Sequence, residues 1–107
     1  MKFEELGINK EILNALYKQG YEKPSEIQAK AIPHILEGKD VLGLAQTGTG
    51  KTAAFAVPTI QNLSKNKVTG KRKIRSLVLT PTRELAIQVY DSFVNYAKNT
   101  KIRSSVI

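Results

Sequence analysis

The chain has 107 residues, of which 41% are apolar, and a formal net charge of +8. This length allows one small domain, and the absence of cysteine excludes disulfides, cysteine-bound zinc clusters and a thiol nucleophile. No apolar run is long enough to span a bilayer, and Met1-Lys2-Phe3-Glu4-Glu5 lacks the apolar core of a signal peptide, so a cytoplasmic protein without membrane association is expected. Charge is unevenly distributed. Residues 1–50 hold six Lys against seven acids, whereas residues 51–107 hold eleven Lys or Arg against two acids. A basic second half suits a polyanion partner, nucleic acid first. A soluble surface that is merely basic is the competing explanation.

The first predicted helix opens at Asn9, a good N-cap, with Ile8 and Leu13 placed to close a hydrophobic staple. Ile12, Leu13 and Leu16 share one face, and Gly20 ends the helix. Phe3 lies upstream in a segment that local pattern does not explain. A second helix is predicted to start at Pro24-Ser25, with Ile27, Ala31, Ile35 and Leu36 toward the core and Gly38 at its end. Pro33 falls inside it and is expected to kink or restart it. Ser25-Glu26-Ile27-Gln28 also spells a capping box, in which the glutamine reaches back to the Ser25 amide. His34, the single histidine, suits a surface position better than catalysis.

Val41-Leu42-Gly43-Leu44 reads as a buried strand. It leads into Ala45-Gln46-Thr47-Gly48-Thr49-Gly50-Lys51-Thr52, and a helix follows. Strand, Gly-rich turn, Gly-Lys-Thr and helix form the phosphate-loop pattern. The turn must wrap closely around phosphate, and Gly48 and Gly50 accept backbone angles that a side chain blocks. Amides at the helix start and the helix dipole favour the anion. Lys51 would reach the β- and γ-phosphates, and the Thr52 hydroxyl would ligate Mg²⁺. The general pattern opens with Gly, and here that position is Ala45. A Gly/Thr-rich surface turn is the alternative, but it leaves Gly-Lys-Thr at a helix start unexplained.

The helix after this loop is expected to run from Lys51 to about Leu63, with Pro58 inside it requiring either a bend or compensating packing. Ser64 to Arg75 is a polar basic loop carrying Lys65, Lys67, Lys71, Arg72, Lys73 and Arg75; a solvated connection is preferred over a nucleic-acid contact. Ser76-Leu77-Val78-Leu79-Thr80 reads as a second strand. Pro81-Thr82-Arg83 turns into a helix with Leu85, Ala86, Val89, Phe93 and Ala97 at helical spacing, and Arg103 to Ile107 reads as a third strand. Alternating strands and helices imply an α/β fold with a parallel sheet and right-handed crossovers.

Three segments together resemble the DEAD-box ATP-dependent RNA helicases. Gly20 to Gln28 is similar to that family's Q motif, and Phe3 stands at the place of its isolated upstream aromatic. Ala45 to Thr52 reads AQTGTGKT, the family's form of the phosphate loop, which accounts for Ala45. Pro81-Thr82-Arg83-Glu84-Leu85 reads PTREL, its motif Ia. Glu26 departs mildly from a Q-motif position usually described as apolar. The resemblance implies a partial RecA-like domain, with residues 1–38 as the helical Q-motif region and 39–107 as the start of the α/β core. It implies ATP and Mg²⁺ as cofactors and RNA as partner, held through its backbone without sequence choice. Gln28 would select adenine, its amide matching the N6/N7 edge, although the cap remains the competing role and both roles can alternate with nucleotide occupancy. Phe3 and Tyr21 would pack against the base, or else anchor the core. Pro81, Thr82, Arg83 and Glu84 would hold the RNA backbone, with Arg83 as the cation and Glu84 favouring the helix dipole or ordering Arg83; the plainer alternative is a capped helix start.

After Lys51 the only acids are Glu84 and Asp91, both in the last predicted helix. The family's Asp-Glu-Ala-Asp box and second domain are not in this sequence, so the chain is expected to bind nucleotide without turning it over. A non-catalytic basic RNA-binding module is the second reading, and an inert folding fragment the third.

Overall fold

Side chains that bond their own backbone set the helix boundaries. In the computed structural model, which describes residues 2–43, 50–65 and 74–107, helix α1 spans Lys10–Lys18. The Asn9 side chain caps it by accepting from the Ile12 amide at 3.0 Å. Its far end closes as a Schellman motif: the Gly20 amide donates to the Tyr17 carbonyl and the Tyr21 amide to that of Leu16. Gly20 takes φ +90° there, a conformation a β-carbon disfavours. Ahead of α1 runs a short 3₁₀ turn, Phe3–Leu6. Phe3 is 1% exposed and meets Tyr17 and Tyr21 edge-to-face, with ring centroids 6.4 and 6.3 Å apart.

Helix α2 spans Glu26–Leu36, and the Ser25/Gln28 capping box is complete. The helix continues through Pro33 and does not restart there. Its enclosed residues are Gln28, Ala31 and Ile32, while Ile27 and Ile35 are half-buried. Of the expected inward row, Ala31 is enclosed and Leu36 packs on the core, while Gln28 and Ile32 take the places expected for Ile27 and Ile35; Gln28 reaches the carbonyl of Gly50, just before the next helix.

That next helix, α3, spans Lys51–Lys65 and also keeps its proline, Pro58, which is buried. Its small residues Ala53, Ala54 and Ala56 are covered, and α2 packs along it as the principal helix pair. Asn62 adds a cross-tie, its amide donating to the Ile35 carbonyl at 3.0 Å. Helix α4 spans Arg83–Tyr96 and packs on α3 and α1. Thr82 caps it by accepting from the Leu85 amide at 3.1 Å. Asn99, just beyond α4, donates to the Glu11 carbonyl of α1 at 3.1 Å. The core gathers Phe3, Ile12, Leu16, Ile32, Val57, Ile60, Phe93 and Tyr96 from all four helices and the 3₁₀ turn. Each large apolar side chain enclosed in this way contributes about 1.5–3 kcal/mol of burial.

No strand forms among the described residues, so the expected strands at 41–43, 76–80 and 103–107 are unpaired in this structure; Leu44 lies outside those residues. The physical reason is visible in the exposure of these segments. Leu77 is 73% exposed and Leu79 84%, so the face these alternate residues share has no covering layer, and Leu42 is 89% exposed. A parallel strand is stable when both faces are covered and both edges bonded; these segments have neither. No helix among the described residues is long and apolar enough to cross a membrane.

Candidate nucleotide site

The start of α3 has the features of an anion site. Gly50 precedes it with φ +83°. A β-carbon on Gly50 would collide with the Gln28 side-chain amide and also approach the Ser25 hydroxyl. The backbone angle favours glycine here, and a larger residue would have to displace the Gln28 side chain. The first ladder bond of α3 joins the Ala54 amide to the Gly50 carbonyl at 3.1 Å, so the Lys51, Thr52 and Ala53 amides precede it. The first turn contains no acid. Lys51 is exposed and Thr52 half-buried, leaving an ammonium and a hydroxyl beside the positive end of the helix dipole. This donor set fits a polyphosphate with its magnesium. Ala45, Gln46, Thr47, Gly48 and Thr49 lie outside the described residues, as do Lys67, Lys71, Arg72 and Lys73 of the basic loop.

Gln28 links this site to α2. Its Oε1 accepts from the Ser25 amide at 2.9 Å, and its Nε2 donates to the Gly50 carbonyl at 3.2 Å. The side chain is 2% exposed. Capping and contact with the phosphate-loop glycine therefore occur together, and both halves of the amide are engaged.

The two aromatics sit side by side. Phe3 belongs to the core, as described. Tyr21 is half-buried, and its hydroxyl shares a 2.7 Å hydrogen bond with that of Tyr96 at the end of α4. Burial, reinforced by that bond, pushes the Tyr96 phenol well above the ordinary tyrosine range. Tyr17, on the other side of Phe3, donates to the Glu4 carboxylate. That bond holds Glu4 below the usual carboxylate range and raises Tyr17.

At the start of α4, Pro81, Thr82, Arg83 and Glu84 are all exposed. The Thr82 hydroxyl is occupied as the cap, and Arg83 Nη1 donates to the Ile107 carbonyl at 3.1 Å. Two shallow surface depressions, of about 480 and 520 Å³, include neither these residues nor Gly50 and Lys51: one lies beside Glu11 and Asn99, the other between α2 and Val41–Gly43. His34 is exposed.

Sequence reasoning missed Gln61. It is buried on α3 and bonds the backbone of the N-terminal segment on both sides of Ile8. The available signal was an uncharged amide on the helix row otherwise occupied by Val57 and Ile60.

Residues 25–107 match the family model described as DEAD/DEAH box helicase. The chain belongs to the DEAD/DEAH-box helicase family. It is 52% identical over 99 residues to the ATP-dependent RNA helicase DeaD of Escherichia coli K12, covering 92% of this chain and 15% of that protein. It is 48% identical over 102 residues to the DEAD-box ATP-dependent RNA helicase RhpA of Helicobacter pylori B128, covering 95% of this chain and 20% of that protein. Among solved structures, the RNA helicase Prp28 from Chaetomium thermophilum bound to ADP superposes with a TM-score of 0.84 at 37% identity, over 92% of this chain and 24% of that one. The helicase chain therefore spans about a fifth or less of these two sequence relatives.

Proposed function

We propose that this chain is the nucleotide-binding opening portion of an ATP-dependent RNA helicase, and that by itself it holds ATP with Mg²⁺ without turning it over. The observation that supports this most directly is the bond from Gln28 to the Gly50 carbonyl. It brings the amide suited to adenine against the last glycine of the phosphate loop, so the base and phosphate ends of one ligand have adjoining receptors. Residues 45–52 would cradle the phosphates, Lys51 would neutralise the β- and γ-oxygens, and Thr52 would hold the magnesium. Phe3 and Tyr21 would support the base. Bound magnesium supplies charge neutralisation across the β- and γ-phosphates.

To read adenine, Gln28 exchanges its two present partners for the N6/N7 edge, and the Ser25 and Gly50 groups pass to water or ligand. Such an exchange makes nucleotide occupancy and the α2 start mutually dependent. Turnover needs a carboxylate placed beside the phosphates to order magnesium and water. After Lys51 the acids are Glu84 and Asp91, both within α4. In the parent helicase, ATP hydrolysis would be coupled to RNA duplex separation, and the segments at 41–44, 76–80 and 103–107 would join a parallel RecA-like sheet. Pro81, Thr82, Arg83 and Glu84 would hold the RNA backbone, with Arg83 supplying charge and position.

Titration calorimetry with ATP and Mg²⁺ tests the reading. The chain binds ATP, and Lys51→Ala abolishes binding; undiminished affinity in that variant overturns the phosphate-loop assignment. ATPase activity with saturating RNA stays at background, and robust turnover refutes the carboxylate argument. The exposure of Pro81 to Glu84 favours a second reading, a non-catalytic RNA-binding module. In that case Lys51→Ala leaves RNA binding intact, and affinity falls steeply with salt.

A further inference from the structure

Gln61 is a buried polar side chain, 3% exposed, whose partners are remote in sequence. Its Oε1 accepts from the Asn9 amide at 2.7 Å, and its Nε2 donates to the Gly7 carbonyl at 2.8 Å. The amide thus pairs with the backbone on both sides of Ile8, in the manner of one rung of a ladder. Gly7 closes the turn that carries Phe3, and Asn9 caps α1. A leucine or methionine fills such a place without the desolvation that an amide suffers. What the glutamine adds is direction: two bonds fix where the Gly7–Asn9 joint sits along α3.

Helix α3 therefore carries two attachments. At its first turn the Gly50 carbonyl holds Gln28. About 15 Å along the axis from Lys51, at the rise of an α-helix, Gln61 holds the N-terminal joint. Phe3 leads into that joint, and its ring supports Tyr21 edge-to-face. We infer that Gln61 is a positioning residue for the base end of the nucleotide site, setting the distance between the Phe3–Tyr21 pair and the phosphate loop. This inference rests on the ATP reading above.

The test compares ATP with inorganic tripolyphosphate, both with Mg²⁺, on the 107-residue chain and its Gln61→Leu and Gln61→Met variants. Losing one stacked base contact corresponds to about tenfold in affinity, so ATP weakens by about that factor while tripolyphosphate binding stays unchanged. A general loosening of the fold weakens both ligands together, and that result overturns the inference, as does unaltered ATP affinity. Hydrogen exchange gives a reading independent of ligand. The amides of residues 3–9 exchange faster in both variants while those of 54–65 keep their protection. If the unsubstituted chain binds neither ligand, the ATP reading fails on its own account; unchanged exchange at 3–9 then removes the inference separately. Should both variants fail to fold, Gln61 is a structural residue and the inference is wrong.

Discussion

Phe3 and Leu79 are both large apolar side chains in short stretches, the first unexplained by local pattern and the second expected to be a strand, yet Phe3 is 1% exposed and Leu79 84%. The segment carrying Phe3 is pinned by long-range bonds: Gln61 takes Gly7 and Asn9, Tyr17 takes Glu4, and two aromatic edges enclose the ring. The segment carrying Leu79 has apolar residues on successive positions but no covering layer. Apolarity supplies the driving force; a bonded partner decides whether it is realised. Helices satisfy their own backbone and need a neighbour on one stripe only. Strands need neighbours at their edges and on their faces before they gain anything.

The contrast can be broken most forcefully at Phe3. Phe3→Ala empties an enclosed aromatic site and is expected to cost about 3–5 kcal/mol, much of the stability of a small domain; urea denaturation measures it. A loss under about 1 kcal/mol places the N-terminal turn off the core in solution. A smaller effect is expected at Tyr96, which pairs with Tyr21 beside Phe3. Its phenol titrates higher folded than unfolded, so the folded form binds the extra proton above the ordinary tyrosine range. Stability is then full below that range and declines as pH rises through it. Tyr96→Phe removes this share of the alkaline decline, seen as a flatter melting temperature against pH above about 10. The smallest effect is expected at Leu79. Leu79→Lys shifts stability by no more than about 0.5 kcal/mol, as for an exposed position. A shift above about 2 kcal/mol shows that the segment is covered in solution, and the contrast with Phe3 dissolves.

What was legible beforehand follows the same division. The Asn9, Ser25 and Thr82 caps could be read because each bond spans three residues. The helices themselves were readable from apolar spacing, and α3 ends within two residues of its expected limit. On α2, Ala31 and Leu36 face the core as expected, but Gln28 and Ile32 are enclosed where Ile27 and Ile35 were expected. Pro33 and Pro58 do not interrupt their helices, since packing of α2 on α3 holds both in register. The partners of Gln61 could not be read because they lie 52 and 54 residues away. At the candidate nucleotide site, the Gly50 backbone angle was anticipated from the motif, whereas the bond that ties it to Gln28 needed the fold.

Helix α4 is covered unequally along its length. Val89, Phe93, Tyr96 and the following Ala97 are enclosed, while Leu85 and Ile87 are well exposed. The helix is therefore clamped by burial at the end beside Tyr21, whereas the end that carries Arg83 is tied by its bond to the Ile107 carbonyl. Over the ~20 Å of such a helix, a tilt of about 5° at the clamp sweeps the tip by about 2 Å. A small adjustment in the aromatic clamp is geometrically amplified where the guanidinium sits.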